Sequence, residues 1–437
     1  MATRRVAARR VVAHRATARP APPRTAESAD WAFHAGDDAV LEALVSGRHA
    51  QSLREYFGAP AYSRLSRLAA AAGRAKKPRG PKILILPGIM GSKIGGAGRG
   101  AASEVLWIDP LRIAEGRLTG LALPSGRALR AVGVLLFTYA RLKLELRLCG
   151  RDVHFHGYDW RLGLDELGAQ LAARIAADGE PVILVAHSMG GLVARMAAPL
   201  LPKRLLRKLI MLGTPNEGSF ASVQALRGTY PFVRRMSMLD RKHSAEYLAA
   251  KIFRTFPGLY HMLPRRLRGI DLFDPRAWPA DGQAPDAGIL ARAPDILAAL
   301  APADLRMVHI VGVNQETVVG MRRAAAGFEY DMTRNGDGTV PLVLARLPKL
   351  KTYFVDELHG NLPTNPHVIQ AVVDLVRRGR TRRLSERWRP RRGPVRRTDD
   401  AQLRMEAVEK IDWASLTSAQ REAALGELDG ARLVIRE

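Results

Sequence analysis

The most informative pattern in the chain is an apolar run that ends in polar and small residues. Residues 181–187 (PVILVAH) lead directly into Ser188, and Gly190 and Gly191 follow. An uninterrupted run rich in Val, Ile and Leu is typical of a short strand that is buried on both faces. Apolar residues then recur at helical spacing over residues 192–200. The pattern predicts a strand, a sharp turn with Ser188 at its apex, and a helix.

Further strands and helices alternate on both sides of this turn. Apolar runs predict strands at 82–87, 152–156, 208–212, 307–313 and 351–355, and periodic patterns predict helices at 127–148, 163–178 and 365–378. This alternation indicates an α/β fold, with a mostly parallel sheet flanked by helices. Residues 220–306 interrupt it with helical patterns and scattered large apolar residues. We expect a helical cap at about 219–306, whose apolar residues line an acyl-chain pocket or only pack the cap's own core.

The remaining segments suggest how the chain is divided. Residues 1–29 are rich in Arg, Ala and Pro without apolar periodicity, which predicts a disordered basic tail. Residues 30–81 are expected to form a helical accessory segment and a linker. The main domain is expected over 82–378. Residues 379–437 combine an Arg-rich segment with a short helical C-terminal module.

Positive charge is concentrated in two of these segments. The 437-residue chain has a formal net charge of +26, residues 1–24 carry seven Arg and no acidic residue, and residues 377–397 carry eleven Arg and one Glu. Arg-rich segments bind anionic lipid or nucleic acid, or are simply solvated. Neither segment has zinc-finger spacing or interleaved aromatic residues, so nucleic acid is disfavoured. A solvated, disordered segment is the simplest expectation, and peripheral contact with an anionic membrane is the functional hypothesis.

Cysteine usage and hydropathy bear on where the protein resides. Cys149 is the single cysteine, so no intramolecular disulfide forms, which is typical of a reducing compartment. The basic N-terminus is not followed by the apolar region of a signal peptide. The apolar stretch 132–140 is too short to cross a bilayer. We therefore expect a cytoplasmic protein, with or without association with a membrane surface.

Three residues have the types and positions that acyl transfer requires. Ser188 lies in an Ala-x-Ser-x-Gly sequence, close to the Gly-x-Ser-x-Gly of a nucleophile elbow, while Asp337 lies in a glycine-flanked turn and His359 follows a predicted strand. A serine hydroxyl becomes nucleophilic when an imidazole accepts its proton, and a carboxylate fixes the tautomer of that imidazole. Because each residue leaves the end of a predicted strand, we expect the three to meet at one edge of the sheet.

Other residues offer the same chemistry in a less suitable setting. The alternatives are Asp331 and Asp356 for the acid, and His367 and His309 for the base. Asp331 lacks the glycine-flanked turn, His309 lies within a predicted strand and His367 lies within a predicted helix. Asp337 and His359 are therefore preferred.

Two backbone N–H groups are candidates for binding the oxyanion of a tetrahedral intermediate. Met189 directly follows the candidate nucleophile, and Ile89 lies in the glycine-rich turn 88–92 that leaves the first predicted strand. A plain strand-exit turn is the alternative interpretation of residues 88–92. His187 precedes the serine and is expected to pack beside it rather than to take part in catalysis.

No metal or cofactor is expected to be required. His154 and His156 share one face of a predicted strand, but no third ligand follows at a convincing spacing. The glycines at 95–100 lack the Gly-Lys-Ser/Thr ending of a phosphate-binding loop, which favours a surface loop.

Several motifs together resemble the lecithin:cholesterol acyltransferase-like family of the α/β-hydrolase superfamily. They are PGIMGS at 87–92, LW at 106–107, YDWR at 158–161, AHSMGG at 186–191, LGTPN at 212–216, GDGTVP at 336–341 and His359. The resemblance covers roughly residues 82–375 and implies the α/β-hydrolase fold with a cap inserted after the strand at 208–212. It also implies that Ser188, Asp337 and His359 form a catalytic triad and that Met189 and Ile89 donate to the oxyanion.

The resemblance implies an acyl-serine enzyme of lipid metabolism. We expect an O-acyltransferase, or a phospholipase or lipase, with a lipid ester as substrate. An esterase or amidase with a non-lipid substrate would have the same triad and a different cap. A binding protein that uses the basic tails is a further alternative, against which the complete triad argues. The sequence leaves the oligomeric state open, and Ala186 departs from the glycine that many family members carry.

Overall fold

The described structure covers the chain from residue 30 to residue 416 with short gaps. A computed structural model describes residues 30–75, 77–96, 104–325, 327–391, 393–405, 410–416 and 420. The tail predicted at 1–29 lies outside the described residues. So do part of the glycine-rich stretch at 95–100 and most of the helical module expected past residue 398.

A six-stranded parallel sheet forms the centre of the fold. The strands of the described chain are β1 (Lys82–Leu86), β2 (Ser92–Gly96), β3 (Val105–Trp107), β4 (Leu129–Val134), β5 (Val153–Phe155), β6 (Val182–His187), β7 (Leu206–Leu212), β8 (Met307–Gly312), β9 (Thr317–Ala324), β10 (Gly327–Thr333), β11 (Lys351–Val355) and β12 (Arg396–Asp399). The central sheet has the order β11-β8-β7-β6-β1-β5, and each neighbouring pair is parallel. Helices cover both faces of such a sheet, which explains its apolar strands. The expected α/β-hydrolase fold is confirmed.

Helices flank this sheet and also precede it in the chain. They are α1 (Trp31–His34), α2 (Asp37–Ser46), α3 (Ala50–Phe57), α4 (Ala59–Gly73), α5 (Pro110–Ala114), α6 (Leu136–Leu148), α7 (Leu164–Asp178), α8 (Met189–Ala197), α9 (Phe220–Leu226), α10 (Pro231–Leu239), α11 (Ala245–Lys251), α12 (Pro257–Tyr260), α13 (Ala287–Ala298), α14 (Leu342–Ala345), α15 (Pro366–Arg378) and α16 (Asp400–Met405). Within the described parts of the chain, none of them has the length and apolar character needed to span a membrane.

Local sequence signals set the ends of the better-predicted helices. In α15, Asn365 accepts hydrogen bonds from the backbone N–H groups of His367 and Val368, and Pro366 occupies the first turn. Gly379 ends the helix with a φ of 74°, a conformation that glycine adopts without strain. The helix predicted at 365–378 is confirmed. Its bounds were predictable because both ends carry such signals.

The segment between β7 and β8 forms the short helices α9–α13. The chain that follows β12 is held to these helices by a buried ion pair and by hydrogen bonds from a lysine. Arg227, which is fully buried, donates to Asp281 and Asp400 at 2.5–2.8 Å. Lys410 donates to three backbone carbonyls near the end of α10, at 2.6–2.7 Å. The buried guanidinium of Arg227 needs such partners because desolvation of an unpaired charge is costly.

The prediction of one helix over 127–148 is wrong in its first part. Residues 129–134 form β4, which pairs antiparallel with β2, and helix α6 begins only at Leu136. The Asp37 carboxylate accepts a hydrogen bond from Val134 N–H at 3.0 Å. A β-carbon at Gly133 would lie 2.5 Å from that carboxylate. Long-range pairing with β2 and α2 therefore overrides the local helical pattern.

The segment at 377–397 was expected to be solvated and disordered. Its described arginines are exposed, in agreement with solvation, but the expectation of disorder is wrong for the residues that the structure describes there. Residues 396–399 form β12, which pairs antiparallel with β10. The arginines find acidic partners: Arg383 pairs with Asp374, Arg391 with Asp356, Arg396 with Glu316 and Arg397 with Asp331. Composition predicted disorder because it does not show that residues 396–399 pair with β10 or that acidic side chains from distant elements meet these arginines.

Candidate active site

Ser188 occupies the sharp turn between β6 and α8. Its φ and ψ are 52° and −124°, a strained conformation for a residue with a side chain. The chain around it packs too closely for larger residues. A β-carbon at Gly190 would lie 2.5 Å from the carbonyl oxygen of Pro87, and one at Gly191 would lie 1.9 Å from Thr214 Oγ1. These glycines therefore allow the turn that presents the serine hydroxyl above the sheet.

The structure brings Ser188, His359 and Asp337 together, as the sequence predicts. His359 Nε2 lies 2.9 Å from Ser188 Oγ, and His359 Nδ1 lies 2.8 Å from Asp337 Oδ2. All three residues are buried, with Asp337 fully removed from solvent. A carboxylate only accepts hydrogen bonds, so the neutral imidazole of His359 carries its hydrogen on Nδ1, which donates to Asp337. Its Nε2 then presents a free lone pair to the serine hydroxyl.

The Asp337 carboxylate is held by its own turn. Its Oδ1 accepts hydrogen bonds from the backbone N–H groups of Thr339 at 3.0 Å and Val340 at 2.7 Å. The backbone N–H of His359 donates to the carbonyl oxygen of Asp337 at 2.8 Å. Gly338 has a φ of 91°, which permits the tight turn. The acid and the imidazole are thus joined by both backbone and side-chain contacts.

One detail of this arrangement differs from the prediction. Asp337 does not directly follow a strand of the central sheet, because β9 and β10 intervene as an antiparallel pair. It reaches the sheet edge through a bridge with Gln315, just beyond the end of β8. Strand β10 alternates the buried residues Phe328, Tyr330 and Met332 with polar residues. The sequence therefore carried a signal for this strand, which the prediction missed.

The alternative acids have other partners. Asp331 lies on β10 and binds Arg397 at 3.1 Å. Asp356 accepts from Gln315 at 2.8 Å and pairs with Arg391 at 2.7 Å. Neither carboxylate contacts His359 through any hydrogen bond in the described structure.

The alternative bases are likewise engaged or turned away. His309 lies within β8, where its Nε2 accepts the backbone N–H of Thr214 at 3.0 Å. Burial is the main cause that lowers the pKa of His309 to about 3. His367 is exposed on the first turn of α15.

One candidate oxyanion donor follows Ser188 in the chain, and the other lies in a turn that packs against Ser188. Met189 begins α8, so its N–H has no acceptor within the helix and lies at the positive end of the helix dipole. Ile89 lies in the turn after β1, and a β-carbon at Gly88 would lie 3.0 Å from Ser188 Cβ. Tyr158 Oη donates to the Pro87 carbonyl at 2.7 Å and fixes the start of that turn.

A cavity of about 160 Å³ opens onto the serine. The turn at Ile89, helices α9, α10 and α12, and the Asp337 turn contribute its mainly apolar lining: Ile89, Met90, Pro215, Ala221, Ala225, Tyr230, Phe232, Val233, Leu259, Met262 and Val340. Arg235 contributes a positively charged side chain to this lining. A cavity of this composition fits a hydrocarbon chain better than a polar group.

Tyr139 and His187 form a polar contact beneath this cavity that the sequence did not indicate. Tyr139 Oη lies 2.9 Å from His187 Nδ1. Burial, and secondly the neighbouring His359, lower the pKa of His187 to about 3. The sequence predicts a packing role for His187, and it gives no signal for Tyr139 because the two residues are far apart in the chain.

The histidines considered as a metal pair have separate partners. His154 Nε2 lies 2.8 Å from Asp152, and His156 Nδ1 lies 2.8 Å from Arg174. Burial, and secondly Arg174, lower the pKa of His156 to about 4. Over the residues that the structure describes, no group of three or more His, Cys, Asp or Glu side chains is arranged to hold a metal ion.

Comparison with known proteins points to one family. The family model of lecithin:cholesterol acyltransferase matches residues 150–387. The propeptide form of Bacillus licheniformis lipase BlEst2 is similar over 65% of this chain and 48% of that chain, with 17% identity and a TM-score of 0.34. Phospholipase PlaB from Legionella pneumophila is similar over 69% of this chain and 61% of that chain, with 11% identity and a TM-score of 0.32. The matched region thus spans about half the length of the propeptide form of the lipase. No protein of curated function matches it in sequence.

Proposed function

The chain belongs to the lecithin:cholesterol acyltransferase family, and from that premise we propose that it cleaves acyl esters of lipids through an acyl-serine intermediate. Ser188 is the nucleophile, His359 the general base and Asp337 the residue that orients the base. The observation that carries the proposal is the continuous hydrogen-bonded contact from Asp337 through His359 to Ser188, at 2.8 and 2.9 Å.

The first half of the reaction forms the acyl-enzyme. Ser188 Oγ attacks the ester carbonyl while His359 Nε2 takes the hydroxyl proton. The carbonyl oxygen becomes negatively charged, and the N–H groups of Met189 and Ile89 stabilise it. One such donor is typically worth about 10²–10³ in rate. The leaving alcohol then departs with the proton that His359 returns.

The second half releases the acyl group. A water molecule or an alcohol attacks the acyl-serine while His359 takes its proton. The tetrahedral intermediate then collapses, and His359 returns the proton to Ser188 Oγ, which regenerates the free hydroxyl. Water gives a fatty acid, which is phospholipase or lipase activity. An alcohol gives a new ester, which is O-acyltransferase activity. No step in this scheme needs a metal or an organic cofactor.

The lining of the cavity supports a lipid rather than a soluble ester as substrate. Helices α9 and α10, within the proposed cap at about 219–306, place Ala221, Ala225, Phe232 and Val233 against the space above Ser188. Transfer of a hydrocarbon chain from water into such a space is favoured by about 0.8 kcal/mol for each buried CH₂ group. A soluble short-chain ester gains little of this energy.

The experiment that tests the function uses phospholipid vesicles with labelled acyl chains, with and without a lipid alcohol. We expect labelled fatty acid or labelled ester from the wild-type protein and none from Ser188→Ala. His359→Gln should abolish product, whereas His367→Gln, an exposed histidine on α15, should not. A Ser188→Ala protein that is folded and fully active would contradict the mechanism.

We further propose that residues 1–28 hold the protein at an anionic lipid surface. The first 24 residues carry seven Arg without an acidic residue. Each Arg near an anionic bilayer contributes about 1 kcal/mol, which is lost at high salt. The second Arg-rich segment contributes less because several of its arginines pair with acidic side chains of the protein. Vesicle binding that is unchanged after removal of residues 1–28, or that does not depend on salt, would refute this.

A further inference from the structure

A continuous line of hydrogen bonds runs from the turn that contains Ile89 to the backbone of His359. The Gly88 N–H donates to Tyr139 Oη at 2.9 Å. Tyr139 Oη in turn lies 2.9 Å from His187 Nδ1. His187 Nε2 lies 3.1 Å from the carbonyl oxygen of His359. Tyr139 and His187 are only 2% and 7% exposed, so these bonds lie inside the protein.

The chemistry of the groups fixes the direction of donation along this line. A carbonyl oxygen only accepts, so His187 Nε2 carries the ring hydrogen. Because burial lowers the pKa of His187 to about 3, the ring is neutral at physiological pH and Nδ1 is an acceptor. The hydroxyl of Tyr139 therefore donates to Nδ1, and its oxygen accepts the Gly88 N–H. Each group in the line is paired with a group of the opposite kind.

The turn after β1 is fitted closely around these side chains. A β-carbon at Gly91 would lie 2.9 Å from Tyr139 Oη, and one at Gly88 would lie 3.2 Å from His187 Nδ1. The hydroxyl of Tyr139 thus sits inside the curve of the turn rather than against its outer surface. A change in its position would move the backbone that carries the Ile89 N–H.

We propose that Tyr139 and His187 are positioning residues, which hold the oxyanion donor of Ile89 and the imidazole of His359 at fixed places next to Ser188. The inference rests on the proposed function, since it assigns these two groups to the same reaction. Displacement of a reacting or stabilising group by about 1 Å costs on the order of 10² in rate. The line of hydrogen bonds opposes such displacement at both groups at once.

The neutral state of His187 serves the same end. The rings of His187 and His359 have centroids 5.0 Å apart. During the reaction His359 becomes an imidazolium, and a second positive charge at that distance would oppose its formation. A neutral His187 can orient His359 through its carbonyl without opposing the proton transfer.

Four variants separate the two ends of the line. Tyr139→Phe removes the donor to His187 and the acceptor for Gly88, and His187→Leu removes both contacts of the imidazole. The side-chain nitrogen of Gln reaches the position of imidazole Nε2, so His187→Gln can keep the bond to the His359 carbonyl. The side-chain oxygen of Asn reaches the position of Nδ1, so His187→Asn can keep the bond to Tyr139.

The expected results are a split between kcat and KM and a graded rescue. For Tyr139→Phe and His187→Leu we expect kcat to fall by about 10- to 100-fold, with KM within about twofold of wild type. His187→Gln and His187→Asn should fall between wild type and His187→Leu. Wild-type kcat in both Tyr139→Phe and His187→Leu would overturn the proposal.

The control is Tyr330→Phe, which removes another buried hydroxyl, one that is hydrogen-bonded to Asp400 at 2.8 Å and does not line the cavity at Ser188. It should lower thermal stability and leave kcat unchanged. If Tyr330→Phe lowered kcat as much as Tyr139→Phe, the loss of any buried hydroxyl would lower the rate. That result would overturn the positioning role of Tyr139.

The rate at which a fluorophosphonate probe labels Ser188 keeps the inference testable apart from the lipid substrate. This reaction uses the same base and oxyanion donors but no lipid. If the wild-type protein is labelled without turning over lipid, the proposed substrate fails, and slower labelling of Tyr139→Phe and His187→Leu would still support the positioning role. Equal labelling rates would overturn it, as would the absence of labelling in the wild-type protein.

Discussion

Asp337→Asn tests the proposed mechanism at the residue whose surroundings are best defined. The two carboxylate oxygens of Asp337 have different partners: Oδ1 accepts two backbone N–H groups, and Oδ2 faces His359 Nδ1. An asparagine side chain has one acceptor oxygen and one donor nitrogen. The oxygen must occupy the Oδ1 place, because a nitrogen there would point its hydrogens at two other donors. The amide nitrogen therefore faces His359 Nδ1.

This orientation forces the imidazole into the wrong tautomer. Nδ1 must then accept from the amide, so the ring hydrogen moves to Nε2, which faces Ser188 Oγ at 2.9 Å. An Nε2 that carries a hydrogen cannot accept the proton of the serine. The same substitution in serine proteases lowers kcat by about 10⁴, which corresponds to roughly 5 kcal/mol in the activation barrier. We expect a loss of that order here.

The assay is steady-state ester hydrolysis combined with thermal unfolding. The Asp337→Asn protein should remain folded, because asparagine has nearly the same shape and keeps the bonds at Oδ1. Asp356→Asn is the matched control, since this aspartate binds Gln315 and Arg391 instead of His359. An Asp337→Asn protein within tenfold of wild-type kcat, or a larger loss in Asp356→Asn, would refute the assignment of the acid.

Three further predictions follow from packing, titration and charge. Gly191→Ala should lower the free energy of unfolding by about 1–3 kcal/mol, because its β-carbon would lie 1.9 Å from Thr214 Oγ1. Thermal unfolding should show partial recovery of stability in the double variant with Thr214→Ala. A Gly191→Ala protein as stable as wild type would contradict the packing. Stability should fall as pH drops from 6.5 towards 4. The buried rings of His187 and His309 have pKa values of about 3 in the folded protein, so between these values only the unfolded chain binds the proton. Each ring lowers the free energy of unfolding by up to about 1.4 kcal/mol for each pH unit in this range. Chemical unfolding at several pH values measures this free energy, and a value that does not change with pH here would exclude the effect. Removal of residues 1–28 should weaken binding to anionic vesicles at low salt and leave binding at high salt nearly unchanged, as a sedimentation assay can measure.

The position of the site was predictable because its strongest signals are local. The apolar run before Ser188 and the glycines after it specify the elbow within ten residues. The Gly336-Asp337-Gly338 turn and the polar residues after β11 carry signals of the same kind. Since parallel strands place their carboxyl ends at one edge, these local signals together indicate that the three side chains meet.

The elements that the sequence did not reveal depend on contacts between distant residues. Strand β4 forms where the local pattern favours a helix, because β2 pairs with it and Asp37 binds its last N–H group. The pairing of β12 with β10 brings together residues that are far apart in the chain, such as Arg397 and Asp331, which are separated by 66 residues. Such contacts follow from the fold, whereas a single sequence shows only neighbours along the chain.

The buried polar contacts around the site escaped prediction for the same reason. Tyr139 lies on α6 and His187 at the end of β6, 48 residues apart, and nothing in either local sequence indicates their partner. Ala186, which departs from the family pattern, is fully buried in β6, the strand that pairs with β1 and β7. The effect of a single methyl group at such a position depends on neighbours that only the structure shows.

Product analysis with labelled phospholipid vesicles, for the wild-type protein and Ser188→Ala side by side, tests the central claim most directly. A lipid alcohol is present in one half of the samples. The proposed function predicts a labelled acyl product, either fatty acid or ester, that disappears completely in Ser188→Ala while the variant unfolds at the wild-type temperature. The same product from a folded Ser188→Ala protein, or no serine-dependent acyl product from the wild-type protein, would contradict it.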